Sequence, residues 1–303
     1  MGTPLSFSGS KNPDLFFCSH MDEKIPRSAK RVLGNGLALT AANPKCKDQD
    51  ILSLDYNRIL SFGRMDLRLL PAGLSPGSAM LEIKFNGMTI VYCNALRLAT
   101  PIAGEKAEAI KCDMLLLDTP VATSQFPAPS TVKKQLVSWS DSFKNRSGLS
   151  AIVCSSKSDV FNAVAALSSL DISIFAHKNI FNMLRNTGYL TTEHSKIAPL
   201  TKKLPSLGTL LLPLKSWNSG SIFTNNIAAS CIIGEGELKK PTDERFIFGH
   251  RETEKILLAF ARSTGAKSVA LGAAYTVQNA EIFKKAGFNV YYSKKPVQLP
   301  LPF

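Results

Sequence analysis

Residues 79–92 constrain the chain most. Met80-Leu-Glu-Ile-Lys-Phe85 and Met88-Thr-Ile-Val-Tyr92 are strand-forming runs separated by Asn86-Gly87. A two-residue hairpin turn needs positive φ at its central positions, which Gly adopts freely and Asn tolerates, so Asn-Gly is the strongest short hairpin signal. The flanking sequence supplies more strands. Asp14-Leu-Phe-Phe-Cys18 reads as a short buried strand, Arg58 to Leu70 as strands broken at Gly63, and Asp113-Met-Leu-Leu-Leu-Asp118 as a buried strand ending on a polar residue. Up to about residue 125 the texture is that of a sheet-rich unit.

A Pro-rich stretch beginning at Phe126 opens a different texture. Helical spacing runs from Val132 to Lys144, with Ser130 or Thr131 as N-cap. Leu149 to Cys154 reads as a strand, Asp159 to Leu167 as a helix, Ile172 to Ala176 as a strand and Asn179 to Asn186 as a helix. This alternation predicts a parallel βαβ unit. Residues from Thr191 to Asn226 read as loop, and Ala228 to Gly234 as another buried strand. Strand–helix order returns after Pro241: Arg245 to Phe248, Glu252 to Thr264, Ser268 to Leu271, Asn279 to Lys285 and Phe288 to Tyr292. Gly265 and Gly287 fall where helix C-caps belong. The expected class is α/β (α+β), with one domain formed by 1–125 and 243–303, an insertion at 126–242, and an extended tail at 294–303.

Length and composition bound the rest. At 303 residues, with 45% apolar and 19% charged residues, the chain can bury a sizeable core. No apolar run reaches the roughly 18 residues that span a bilayer, and Met1 to Asn12 lacks the apolar core of a signal peptide. The six cysteines are widely spaced, and several lie in apolar runs. That pattern predicts free buried thiols in a reducing compartment, hence a cytoplasmic protein without a membrane partner. The net charge of +13 and pI near 9.5 point to a polyanionic partner.

A family resemblance emerges at Pro71-Ala-Gly-Leu-Ser-Pro-Gly-Ser-Ala79, followed by the hairpin and Ile90-Val-Tyr-Cys-Asn-Ala95. This run is similar to P-A-G-H-x-x-G-S-A, a strand pair and a Y-x-G-D-F-like turn in β-CASP nucleases of the metallo-β-lactamase fold, closest to the ligase-associated DNA exonucleases of bacteria. Asp118-Thr, Phe126-Pro, Ser155-Ser-Lys157, Phe246-Ile-Phe-Gly-His250 and Thr264-Gly-Ala-Lys-Ser-Val-Ala-Leu271 continue it in family order. The resemblance implies a four-layer αββα domain carrying an inserted β-CASP domain.

Such nucleases use two divalent metals to stabilise the attacking and leaving oxygens of a phosphodiester displacement. Their first ligand loop reads T-H-x-H-x-D-H; here it is Ser19-His20-Met21-Asp22-Glu23-Lys24-Ile25. Only His20 matches. Asp22 stands for a second His, Lys24 for the Asp and Ile25 for the last His. Leu74 replaces the His of P-A-G-H, Ala95 the bridging Asp, and Ala273 the His of a T-H-G-Y-like turn. Asp118 and His250 keep family-type residues. The chain holds four histidines, His20, His177, His194 and His250, too few for a His-rich binuclear centre. Lys24 would further repel a divalent cation. The resemblance therefore implies a chain with no catalytic residues, no metal and no other cofactor. A rival arrangement has His20, Asp22, Asp118 and His250 holding one metal, making the chain a DNA exonuclease with a non-standard site.

A groove without chemistry can still bind backbone. Lys157, at a helix start beside two serines, resembles a basic residue of the β-CASP insertion and suits a phosphate; Lys239, Lys240 and Arg251 could line the same groove. The final Gln298-Leu299-Pro300-Leu301-Pro302-Phe303 resembles the Q-L-x-L-x-F peptide that bacterial repair proteins insert into the sliding clamp. Gln298 would bond at the rim, Leu299 and Leu301 fill an apolar groove, and Phe303 anchor the end; the prolines lower the entropy lost on binding. The expected role is an inactive accessory factor in DNA repair or replication, bound to DNA and to the clamp. An alternative is a scaffold subunit beside an active nuclease or a ligase.

Overall fold

A computed structural model describes residues 5–6, 14–42, 50–143, 148–190, 196–203, 205–220 and 227–292. The tail residues Gln298, Leu299, Leu301 and Phe303, together with His194 and Cys46, lie outside the described residues. Among the described residues, four sheets and seven helices make this a mixed α/β protein. The chain divides into two compact units: residues 1–99, 105–125 and 250–303 form the first, and residues 100–104 and 126–249 the second.

The first unit contains two larger sheets. Leu5–Ser6, Leu15–Cys18, Arg31–Gly34 and Asp50–Ser53 lie side by side, all parallel. The other sheet has seven strands in the order Asn289–Tyr292, Ser268–Leu271, Met114–Leu117, Met88–Cys93, Ala79–Phe85, Met65–Pro71, Ile59–Phe62. Its first four strands are mutually parallel and its last four antiparallel. The hairpin forms as the sequence requires, with Phe85 opposite Met88 and positive φ at Asn86 (47°) and Gly87 (76°).

Alternation along the strands decides what packs where, because successive side chains point to opposite faces. Leu15, Phe17 and Leu33 share a core with Leu67, Leu81, Ile83 and Ile90 of the seven-stranded sheet. On the other face of the smaller sheet, Phe16, Cys18 and Val32 pack with Leu39 of the helix Gly36–Ala42. Val91, Leu115, Leu117 and Val269 face the opposite way and pack with Leu257 and Phe260 of the helix Glu254–Thr264 and Phe283 of the helix Val277–Lys285. A short parallel pair, Val121–Ala122 with Glu252–Thr253, brings the returning chain back to the unit. Arg97 and Glu252 form a buried ion pair there, 2.9 Å long, and the Leu98 N–H donates to the other carboxylate oxygen at 2.7 Å.

The second unit is built on a six-stranded sheet, parallel throughout, ordered Ile197–Pro199, Ile174–Ala176, Gly208–Pro213, Leu149–Cys154, Ile227–Ile233, Glu244–Phe246. Three sequence expectations change here. The stretch read as loop contributes Gly208–Pro213, an inner strand with a partner on each side, because a continuous apolar run suits a strand covered on both faces. The first helix runs Pro129–Ser142 with Ala128 as N-cap, not Ser130 or Thr131, since Pro at the first helical position has its φ preset. Residues 243–249 belong to this unit and not to the first, because Glu244–Phe246 pairs with Ile227–Ile233. Cys18, Cys93, Cys112, Cys154 and Cys231 are buried, and among the described residues none is in a disulfide. Among the described residues no helix is long and apolar enough to cross a membrane.

Candidate functional site

Four strands of the first unit end close together, each followed by a polar or small residue: Leu15–Cys18 by Ser19, Met88–Cys93 by Asn94, Met114–Leu117 by Asp118, and Ser268–Leu271 by Gly272. Main-chain bonds hold these ends in place: Asp118 N–H to Cys93 O at 2.8 Å, Gly272 N–H to Leu117 O at 2.7 Å, and Ala79 N–H to Ser19 O at 2.7 Å. Carboxyl ends of neighbouring parallel strands are where open α/β sheets place their ligands. Three of the stations singled out in sequence, around His20, Asp118 and Ala273, converge here.

A hydrogen-bonded side-chain network fills this place. The Ser19 N–H and Ser19 hydroxyl donate to Glu23 Oε2 at 2.6 and 2.8 Å. The Asn94 amide donates to Ser19 Oγ at 3.2 Å and to Glu23 Oε1 at 3.1 Å. His20 Nδ1 lies 2.9 Å from Ser19 Oγ. Because the Ser19 proton is committed to Glu23, Nδ1 must carry the proton in that contact, leaving the lone pair on Nε2. Burial pulls the His20 imidazole below its ordinary range, Asp22 opposes that, and His250 adds to it. Burial pushes the Glu23 carboxyl up, the Ser19 and Asn94 bonds oppose this, and nearby Asp118 adds to it. Tyr92 OH donates to Asp118 Oδ2 at 3.2 Å. Asp118 also lies tight against Gly272, where an added Cβ would sit 1.8 Å from Oδ1.

This donor set does not fit a binuclear metal centre. Among the described residues no three His, Cys, Asp or Glu side chains come together in a way that could hold a metal ion. Leu74, Ala95, Ile25, Ala273 and Lys24, where the resemblance led us to expect ligands, take the following places. Leu74 is buried in a loop closed by Ser78 Oγ, which accepts from the Leu74 and Ser75 N–H groups at 3.1 Å. Ala95 is buried, and Ile25 packs against the Phe16–Val32 core. Ala273 and Lys24 are exposed. Exposure corrects one expectation: the charge of Lys24 is screened by solvent and does little to the site. Sequence reasoning missed Glu23, Asn94 and Tyr92. The available signal was Asn94 itself, a polar residue directly after the apolar run Ile-Val-Tyr-Cys93.

The residues proposed for backbone binding are distributed over both units. Lys157 begins the helix Lys157–Leu167, but the adjacent serines are not open to a phosphate as expected. Ser155 and Ser156 hydroxyls both donate to Asp159 Oδ2 at 2.7 Å, and Ser156 accepts from the Asp159 N–H in a capping box. A carboxylate already occupies the anion position of that helix. Lys239 and Lys240 lie against the helix Leu214–Ser219, through Lys239 N–H to Asn218 Oδ1 and Trp217 Nε1–H to Lys240 O. Arg251 belongs to the first unit.

The parallel sheet of the second unit adds residues the sequence reading did not join. All six strands point the same way, so the segments that follow them share one edge. Lys157 follows Leu149–Cys154, Lys178 follows Ile174–Ala176, Lys202 and Lys203 follow Ile197–Pro199, and Lys215 follows Gly208–Pro213. Lys178, Lys202, Lys203 and Lys215 are exposed. The Ser216–His177 pair at this edge is no nucleophile–base pair: His177 Nδ1 accepts from the Asn179 N–H at 3.3 Å, so Nε2 carries the proton toward Ser216 at 3.4 Å.

No family model matches the chain, and no curated protein matches it. Among solved structures it is similar to a crystal structure of a protein of unknown function from Enterococcus faecalis V583, with a TM-score of 0.61 and 11% identity, over 91% of this chain and 78% of that one. At that identity the likeness is one of fold.

Proposed function

We propose that the chain is a β-CASP-type member of the metallo-β-lactamase fold without nuclease activity, serving as a nucleic-acid-binding accessory factor in DNA repair or replication. The network of Ser19, Glu23 and Asn94 carries this reading. It commits the polar groups at these strand ends to one another, beside positions where the resemblance implies ligands and this chain has Ile25, Ala95 and Ala273. The order of helix, sheet, sheet and helices in the first unit supports the four-layer αββα assignment. Asn94 then stands at the Gly of the Y-x-G-D-F-like turn, so its amide fills space that a glycine would leave open.

Binding is supported by charge. The net charge of +13 and the lysines along one edge of the second unit's sheet suit a phosphate backbone read without sequence preference. The terminal Gln298–Phe303 peptide would tether the chain to the sliding clamp.

Metal and nuclease assays, filter binding and a pull-down test the reading. Purified protein should carry substoichiometric Zn²⁺ and Mn²⁺ and digest neither single- nor double-stranded DNA with either ion. A stoichiometric metal lost in His20→Ala, with metal-dependent digestion, would overturn the inactive assignment. Filter binding should show DNA retention that falls steeply with salt and is weakened in Lys202→Glu/Lys203→Glu. A clamp pull-down should succeed with the full chain and fail when residues 298–303 are removed.

A further inference from the structure

The other end of the seven-stranded sheet holds a second basic feature. At the amino ends of Ser268–Leu271 and Asn289–Tyr292, the helices Glu254–Thr264 and Val277–Lys285 both terminate in a cleft of about 470 Å³. Gly265 caps the first helix in the left-handed region (φ 69°), and Gly287 follows the second (φ 95°); a Cβ at Gly287 would meet nothing. At Gly287 the cleft is therefore open to solvent.

Arg262 and Lys267 line this cleft and are exposed. Lys111 lies against Gly265 and donates to Ser263 O at 3.2 Å. Lys284 and Lys285 end the second helix. Two carboxylates belong to the same end: Glu281, paired with Lys284 at 2.8 Å, and Asp113, which accepts from the Thr89 N–H at 2.8 Å. Among the described residues Arg262, Lys267 and Lys285 form no ion pair. Helix C-termini attract cations, each end acting as about half a negative charge. Two such ends and two carboxylates offset about three of the five cations, so a surplus of about two positive charges remains.

We propose that this cleft is a contact for the phosphodiester backbone of a nucleic acid, separate from the lysine-bearing edge of the second unit. The inference rests on the nucleic-acid reading above. A free phosphate is a poor fit, because among the described residues no helix N-terminus lines the cleft, where two helices end instead. A polyanion needs only charge density, since its affinity comes from releasing condensed counterions, and Lys and Arg on flexible stems supply that.

The test compares four full-length proteins by fluorescence polarisation with a labelled single-stranded oligonucleotide over a salt series. They are wild type, Arg262→Glu/Lys267→Glu in the cleft, Lys202→Glu/Lys203→Glu on the edge, and Lys84→Glu/Lys255→Glu as a charge-matched control at exposed positions elsewhere in the first unit. Circular dichroism checks that each is folded. The cleft variant should lose about tenfold or more in affinity at low salt, and its log–log salt slope should shrink by about 1.4, the value for two lost phosphate contacts on a single strand. The control should lose clearly less. Unchanged affinity and slope in the cleft variant, with the edge variant weakened, would overturn this inference and leave the broader reading intact. Equal losses in the cleft and control variants would also overturn it. Absence of binding by wild type at low salt would remove both.

Discussion

Replacing Arg97 by methionine should be among the most damaging single changes in the first unit. Arg97 and Glu252 side chains are 5% and 2% exposed, and the guanidinium donates to Glu252 Oε2 at 2.9 Å. Methionine keeps much of the apolar stem but leaves that oxygen without this donor, while the Leu98 N–H still donates to the other oxygen. Removing one partner of a buried pair costs about 3–5 kcal/mol, most of it from the stranded charge. The retained Leu98 bond places the expected loss near the lower end, about 3 kcal/mol. Glu252→Gln removes the charge and keeps an oxygen for Leu98, so the double variant should lose less than the two single losses added. Urea unfolding followed by far-UV circular dichroism measures each loss. Tryptophan emission supplies an internal reference, because Trp139 and Trp217 both lie in the second unit. A loss under about 1 kcal/mol for Arg97→Met, or strict additivity in the double variant, would refute the reasoning.

Gly272→Ala forces a methyl group to within 1.8 Å of Asp118 Oδ1 and must displace that carboxylate; the expected cost is about 1–3 kcal/mol, seen as a lower Tm. Burial holds the His177 imidazole below its ordinary range, and its Nδ1 caps a helix. The unfolded chain therefore takes up that proton more readily, so the contribution is complete above about pH 6.5 and lost as pH falls. His177→Asn keeps a capping acceptor and should flatten the dependence between acid and neutral pH; an unchanged profile would show that His177 is not its source. Glu23 has the opposite sign: with its carboxyl pushed up in the folded state, stability is fully present below about pH 4.5 and declines as pH rises through the raised value. Denaturation across that range should lose this component in Glu23→Gln.

Legibility in the sequence followed the range of the interactions. The hairpin was readable because Asn86-Gly87 states its own geometry in two residues. Leu15–Cys18 and Met114–Leu117 were readable as compact apolar runs. Gly208–Pro213 was not, since Gly and Pro bound its short apolar run and its neighbours in the chain are irregular. The candidate site divides the same way. Residues such as His20 and Asp118 could be read one position at a time. The network they join could not, because Asn94 reaches Ser19 across 75 positions and Glu23 across 71. No local pattern encodes that meeting; it exists only once the strand ends converge.

The strand Met114–Leu117 has one neighbour, Met88–Cys93, earlier in the chain and the other, Ser268–Leu271, far later. During synthesis its apolar edge must therefore wait while the whole stretch Phe126–Gly249 leaves the ribosome. If the second unit folds as it emerges, it shortens the effective loop that the last strands must close, and closure entropy then grows little. The same interval leaves Met-Leu-Leu-Leu as an open edge, the kind of surface that pairs with other chains. Yield of the folded protein should accordingly depend on how fast the C-terminal residues are made and on what shields that edge meanwhile.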